Sequence, residues 1–360
     1  MATKKCYLVS ANTSAGFVSF FGYVLKDAER AYIIKGGPGC GKSTFIRKAG
    51  EELLDSGFDV DFIYCSADKD SLDGIFVHDV NMAIVDGTAP HVIEPKYPGA
   101  VERILYFGDF WDIDYLRSHK DKIRYFIDEI GYEYNKYFNY MKNAKLIHDK
   151  LEAEYTKGMD FDRADILTEQ MIKETIIGKK NKMGSEVHRF AGALTPQGQV
   201  SFYNQLTVGI KNRYILKGRP GTGKSTMEKK IAKAALEAGY DVEYYHCAFD
   251  PDSIDMIIIP ELSFAMLDGT APHVFDPEEG DKLVDMFRFV NTKIVREEED
   301  PIKSIAEEYR EEINKAKKVY ERIKRLHDEL EKYYVDATDF NEVDALRRRI
   351  VNYIKAMKEQ

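Results

Sequence analysis

Apolar residues fall into two regimes along this chain. The first consists of short unbroken runs: Cys6 to Ser10, Ala31 to Lys35, Val60 to Cys65, Met82 to Val85 and Ile104 to Phe107. Runs of this length, without polar alternation, predict strands buried on both faces. Val18 to Ala28 and Lys42 to Ser56 read as helices, and Gly57 stands where a helix-ending glycine belongs. Ser71 is placed to cap a further short helix. Alternating strands and helices predict an α/β fold, a mainly parallel sheet with helices on its faces.

Then the period changes. Ile127, Ile130, Tyr134, Tyr137, Met141, Ala144, His148, Leu151 and Tyr155 are spaced alternately three and four apart. Ala306, Tyr309, Ile313, Ala316, Tyr320, Ile323, His327, Leu330 and Tyr334 repeat the pattern, which is that of a heptad seam. A second helix is expected to start near Asp160 and again near Asp339. Each seam therefore predicts an antiparallel helical arm, its long helix about 40 residues and about 60 Å, based against the core. His148 and His327 are seam residues without a second ligand spaced for them, so packing is expected rather than metal binding.

The two regimes occur twice. "TSAGFVSFFGY" (Thr13 to Tyr23) matches "TPQGQVSFYNQ" (Thr195 to Gln205). "SGFDVDFIYCSADKDSLD" matches "AGYDVEYYHCAFDPDSID", and "DGTAPHV" recurs unaltered at Asp86 to Val92 and Asp268 to Val274. After a three-residue loss the match resumes, "IHDKLEAEY" onto "LHDELEKYY". This is a tandem duplication. It predicts a first unit over 1–184 (core to about 111, arm about 112–180) and a second over 185–360 (core to about 295, arm about 296–360), each of domain size. Two joined copies are expected to pack pseudo-symmetrically, as a homodimer would.

The strongest chemical signal is also doubled. Gly36, Gly37, Pro38, Gly39, Cys40, Gly41, Lys42, Ser43 and Thr44 match Gly218, Arg219, Pro220, Gly221, Thr222, Gly223, Lys224, Ser225 and Thr226. Both stretches fit G-x-x-x-x-G-K-[ST] between an apolar strand and an amphipathic helix. Glycines let the backbone wrap with its N–H groups inward, as a nest for phosphate oxygens. Lys42 and Lys224 would meet the β- and γ-phosphates, and Ser43 and Ser225 would offer hydroxyls to Mg²⁺. The helix that follows adds its positive end. Cys40 would sit near that helix N-terminus, which lowers a thiol pKa, although a small side chain that merely fits is the favoured reading. Arg219 replaces Gly37 and either reaches a phosphate or points to solvent.

These residues resemble the P-loop NTPase superfamily and its Walker A motif over roughly 31–92 and 213–274. The paired layout is also similar to a bacterial family of tandem-duplicated P-loop ATP-binding proteins. The resemblance implies ATP and Mg²⁺ as ligands. It implies a metal role for Asp86 and Asp268, each at the end of an apolar strand, mostly through water. Many hydrolytic members carry Glu after this Asp, where Gly87 and Gly269 stand here. Asp68 and Asp250, at the end of the second strand, are then candidates for the base, since such strand ends face the ligand. His91 and His273 are candidate γ-phosphate sensors, with a structural Pro-His corner as the equal alternative.

Composition narrows the partners. The net charge of −9 over 360 residues argues against coating nucleic acid by bulk electrostatics. Cys6, Cys40, Cys65 and Cys247 form no CxxC pair, which suits a reducing cytoplasm. No stretch is long and apolar enough to span a bilayer, and the N-terminus lacks a signal-peptide core. Three functions follow in order. The first is a Mg²⁺-dependent ATPase whose two sites move the helical arms, with Arg189, Arg213 or Arg103 reaching across to the other site. The second is a small-molecule or nucleotide kinase with Asp68 and Asp250 as bases. The third is an ATP-stabilised module that binds a protein partner through its arms.

Overall fold

The computed structural model describes residues 2–270 and 275–358. The first half contributes β1 (Lys4–Leu8), a small hairpin of β2 (Ser10–Thr13) and β3 (Gly16–Ser19), then α1 (Phe21–Lys26) and β4 (Arg30–Lys35). It continues with α2 (Lys42–Asp55), β5 (Val60–Tyr64), β6 (Leu72–Val77), β7 (Met82–Asp86), β8 (Glu102–Tyr106), α3 (Ile113–Ser118), α4 (Lys120–Thr156) and α5 (Phe161–Thr175). The second half follows the same sequence of elements. It runs through β9 (Glu186–Phe190), β10 (Gly192–Thr195), β11 (Gly198–Ser201), α6 (Tyr203–Leu206), β12 (Asn212–Lys217), α7 (Lys224–Glu237) and β13 (Val242–His246). It ends with β14 (Ile254–Ile259), β15 (Phe264–Asp268), β16 (Lys282–Asp285), α8 (Thr292–Glu297), α9 (Glu299–Ala337) and α10 (Phe340–Lys358).

The expected strands are all present, and they form one mixed sheet. Its twelve strands run β16-β12-β15-β14-β13-β9-β1-β5-β6-β7-β4-β8. Outward from the centre, each side of the sheet repeats one order. The sheet is mostly parallel, as expected, with β6 and β14 antiparallel to both neighbours. The helix expected after Ser71 is β6 instead. Leu72–Val77 is buried at every position, and a short apolar run walled in on both faces pairs as a strand.

The helical arms need a larger correction. The seams do not close each long helix on its own return helix. They close α4 on α9, antiparallel, across the two halves. Tyr137 and Tyr320 meet at 4.6 Å between ring centroids near mid-length. Phe126 lies near Tyr333 at one end, and Leu151 and Tyr155 pack with Ile302 at the other. The middle of the pair rests on the sheet. Asn12 donates to the Tyr320 hydroxyl at 2.8 Å, and that hydroxyl donates to the Ser66 carbonyl at 3.2 Å. The return helices are exchanged as well. α10 packs on α2 and α5 packs on α7. Reciprocal main-chain bonds pin both turns: Asp112 N–H to Ala337 O and Asn291 N–H to Gly158 O, each at 2.7 Å. Most of each seam is thus covered inside the protein, which removes the surface that a partner helix would need.

The halves also meet at the sheet centre, where β1 and β9 share a single antiparallel pair, Leu8 with Phe190. Side chains do most of the joining. Lys5 donates to both Glu243 oxygens at 2.6 and 2.7 Å. Arg189 reaches Glu243 at 3.1 Å and lies 4.1 Å over the Tyr7 ring. Tyr7 donates to Asp61 at 2.8 Å. Arg189 is therefore a junction residue and reaches no glycine loop. Arg213 is held within its own half by Asp281 and Glu278. Arg103 lines a cavity of about 680 Å³ with Arg30 and Arg349 at the opposite end of β4 from Gly36. None of the three reaches across as expected.

Tyr320→Ala should lower stability by about 3–5 kcal/mol in urea unfolding, the range for buried aromatic truncation. Ile127→Ala, at a seam position 49 % exposed, should change it by no more than about 0.5 kcal/mol. Burial works against the Glu243 charge, but Arg189 and Lys5 outweigh it and hold the carboxyl at about 2. A depressed carboxylate stabilises the fold above its unfolded value, and that stability is lost as pH falls through the folded one. Wild-type stability should therefore fall between about pH 4.5 and 2. Glu243→Gln should cost about 3 kcal/mol at neutral pH, with a shallower acid slope in the same unfolding series.

Candidate functional site

Both glycine loops follow a strand and open a helix, β4 into α2 and β12 into α7. Gly39 and Gly41 take φ of 73° and 85°, and Gly221 and Gly223 take 74° and 81°. Side chains rarely adopt this backbone, so the sequence pattern and the turn agree. The amides of Gly39 and Gly41, and of Gly221, Gly223 and Lys224, donate to no acceptor among the described residues, while that of Lys42 faces the Cys40 sulfur. Buried or partly buried amides are ordinarily paired. A run of unpaired ones beside a lysine is the donor set a phosphate group needs, so the residues present fit that ligand.

The two loops are fastened alike. Lys42 Nζ donates to Gly36 O at 3.2 Å and Gly37 O at 2.7 Å, with Asp86 at 3.6 Å. Lys224 Nζ donates to Gly218 O and Arg219 O, both at 3.0 Å, with Asp268 at 3.5 Å. Ser43 Oγ accepts from Leu72 N–H, and Ser225 Oγ accepts from Ile254 N–H, both at 2.9 Å. Asp86 and Asp268 each accept from the threonine two residues on at 2.8 Å, leaving the other oxygen beside the lysine. Ser43 with Asp86, and Ser225 with Asp268, are the hydroxyl and carboxylate that could hold Mg²⁺. Thr44 and Thr226 lie in the first turns of α2 and α7.

Cys40 and Thr222 have one job. Each donates back to the loop, Cys40 to Gly37 O at 3.0 Å and Thr222 to Arg219 O at 2.7 Å. The structure agrees with the favoured reading of Cys40, a small side chain that fits the loop. Its thiol is buried, and burial pushes it up more than Lys42 pulls it down. Pro38 and Pro220 complete the loop turns, and Arg219 is solvent-exposed.

Behind the first loop, His91 Nε2 lies 3.2 Å from Asp73 with both side chains buried. Burial opposes the His91 charge, but Asp73 outweighs it and raises the imidazole above its ordinary value. His91 also packs edge-on against Phe17 and Phe21. It stands beside Asp73, within range of the Asp86 and Lys42 charges. His273 lies outside the described residues. Asp68 and Asp250 follow β5 and β13, and each caps its own turn by accepting from the residue two further on. Each also pairs with a lysine of the opposite half: Lys324 at 3.5 Å from Asp68, and Lys145 at 3.4 Å from Asp250.

The opposite half comes closer still. A Cβ on Gly39 would stand 2.8 Å from Glu331 O, and one on Gly37 would stand 2.4 Å from the Tyr334 ring. On the second loop, a Cβ on Gly221 would stand 2.5 Å from Glu152 O. Each phosphate-shaped loop is therefore packed by the long helix of the other half. His327 and His148 lie on those helix segments. Contrary to the spacing argument, each has carboxylates one residue and one turn away, Asp328 with Glu331 and Asp149 with Glu152.

Several site residues escaped the sequence reading. Asp73 and Asp255 were visible as the last aspartate of the repeated "DSLD" and "DSID". Lys145 and Lys324 were visible as a repeated K-x-x-H-D. Glu228 left no signal, because the matching position in the first half is Ile46. It is 0 % exposed, and among the described residues neither carboxylate oxygen has a hydrogen-bond partner. Burial, then Asp268 and Asp255, push its carboxyl well above the usual range. Comparison with protein-family models, curated proteins and solved structures finds no match to this chain.

A carboxyl raised in the folded state favours folding below its unfolded value, and that contribution is lost as pH rises. Glu228→Leu should therefore raise the melting temperature, and raise it more at pH 8 than near pH 4.5, the ordinary glutamate value.

Proposed function

We propose that this chain is a Mg²⁺-dependent ATP-binding protein and an ATPase, built from two duplicated P-loop NTPase cores with one nucleotide site each. The carrying observation is the pair of loops with unpaired amides, each with its lysine between loop carbonyls and a strand-end aspartate. Gly36 to Thr44 and Gly218 to Thr226 would hold the phosphates. Ser43 with Asp86, and Ser225 with Asp268, would hold Mg²⁺. When bound, the metal would neutralise phosphate charge beside Lys42 and Lys224.

Nucleotide state would reach the long helices directly, since Glu331 and Glu152 pack on Gly39 and Gly221. A loop that reshapes around a phosphate must move that contact, so α4 and α9 take the place of separate arms in the coupling. The kinase alternative needs Asp68 and Asp250 available to an acceptor hydroxyl. Each is paired with a lysine of the opposite half, and the product formed from ATP separates this alternative from hydrolysis. Among the described residues no helix is long and apolar enough to cross a membrane.

Phosphate release from Mg·ATP by the full chain should exceed that of the Lys42→Ala/Lys224→Ala double variant by about 100-fold or more. Equal release by the two proteins would end the ATPase reading. Transfer of the phosphoryl group to a metabolite in place of water would establish the kinase.

A further inference from the structure

The contacts between each loop and the opposite helix form an ordered series. Along α9, Tyr334 lies on Gly37 and Glu331 lies on Gly39. One turn earlier His327 sits within range of the Lys42 charge, and a turn before that Lys324 pairs with Asp68. The helix thus runs from the tip of the first loop, past Lys42, to the end of β5. Lys42 is the side chain that takes the β- and γ-phosphates. Helix residues beyond it therefore stand at the outer end of a bound triphosphate. The second loop repeats the series with α4: Thr156 and Glu152 on Gly221, His148 one turn earlier, then Lys145 on Asp250. The partly buried ammonium groups, 24 % and 26 % exposed, are shared between an aspartate one turn on along their own helix, Asp328 or Asp149, and a carboxylate of the site they overlook, Asp68 or Asp250.

We propose that Lys324 and Lys145 are phosphate-binding residues supplied across the halves. Lys324 leaves Asp68 for the terminal phosphate of a triphosphate in the first loop, and Lys145 leaves Asp250 for that in the second. This deepens the nucleotide-binding reading and rests on it. The terminal phosphate carries more charge and more acceptor oxygens than one carboxylate, so it outcompetes Asp68 for the ammonium. A diphosphate ends one group short and leaves the lysine on its aspartate. The exchange is electrostatic and breaks no covalent bond. Each site is incomplete without the other half, and the pairing distinguishes ATP from ADP.

The test uses the full chain carrying Lys224→Ala, so that only the first loop binds. Affinities for Mg·ATP and Mg·ADP are measured by calorimetry with Lys324, Lys324→Gln and Lys324→Arg. Lys324→Gln should weaken ATP about tenfold or more and leave ADP within about twofold. Lys324→Arg should restore most of the ATP affinity. Asp68→Asn, which leaves the lysine with Asp328 alone as a carboxylate partner, should shift the ratio the other way, toward ATP. The mirror set uses Lys42→Ala with Lys145→Gln. Equal weakening of both nucleotides, or no change in either, would overturn the proposal, as would Asp68→Asn without a gain in ATP preference. If the Lys224→Ala parent binds neither nucleotide, the nucleotide reading falls and this inference with it. If the parent binds both and Lys324→Gln keeps the parent's ATP-to-ADP ratio, only this inference falls.

Discussion

Close approach of two backbones governs this molecule. Gly39 and Gly221 touch the main chain of a helix from the other half at distances that no side chain would permit. The same glycines hold left-handed φ values that turn the loop amides inward. One residue type thus satisfies two demands at once, a left-handed loop turn and a seat for a helix. The wider architecture is arranged around that contact. α4 and α9 must cross between the halves to make it, and α5 and α10 then have the opposite core as their packing surface.

Energetically the cross-half contacts divide into three kinds. The α4–α9 seam buries tyrosines, and Asn12 and Ser66 satisfy the Tyr320 hydroxyl at its centre. The exchanged return helices bury apolar side chains such as Val351 and Ile354 against Ile46 and Ala49. At the sheet junction a single backbone pair is reinforced by Lys5, Arg189, Glu243 and Asp61. The first two are mainly apolar and carry most of the stabilisation. The third is ionic and partly buried, so it specifies which edges meet more than it adds strength.

The strands, the glycine loops and the duplication were legible in the chain because each has a local signature: an apolar run, a fixed spacing, a repeated phrase. The caps at Asp160 and Asp339 were legible for the same reason. The exchange of helices was not. A heptad seam states that a helix has a partner along one face, and two identical seams in one chain fit each other as well as they fit anything else. Helix α4 therefore reads the same whether it folds on α5 or on α9. Leu72–Val77 was misread for a related reason, since a short apolar run after a serine fits a capped helix or a buried strand until its neighbours are known.

The halves are alike in outline and different in chemistry. His91 faces Asp73 in the first, whereas the second adds Glu228, with Tyr203 donating to Asp255. Their loops nonetheless share the lysine, serine and aspartate fastenings. The central claim is that each loop grips a nucleotide, and stoichiometry tests it most directly. Titration calorimetry of the full chain with Mg·ATP should give two bound nucleotides per chain, and one after Lys42→Ala. No binding, or a single site untouched by Lys42→Ala and Lys224→Ala alike, would contradict the account.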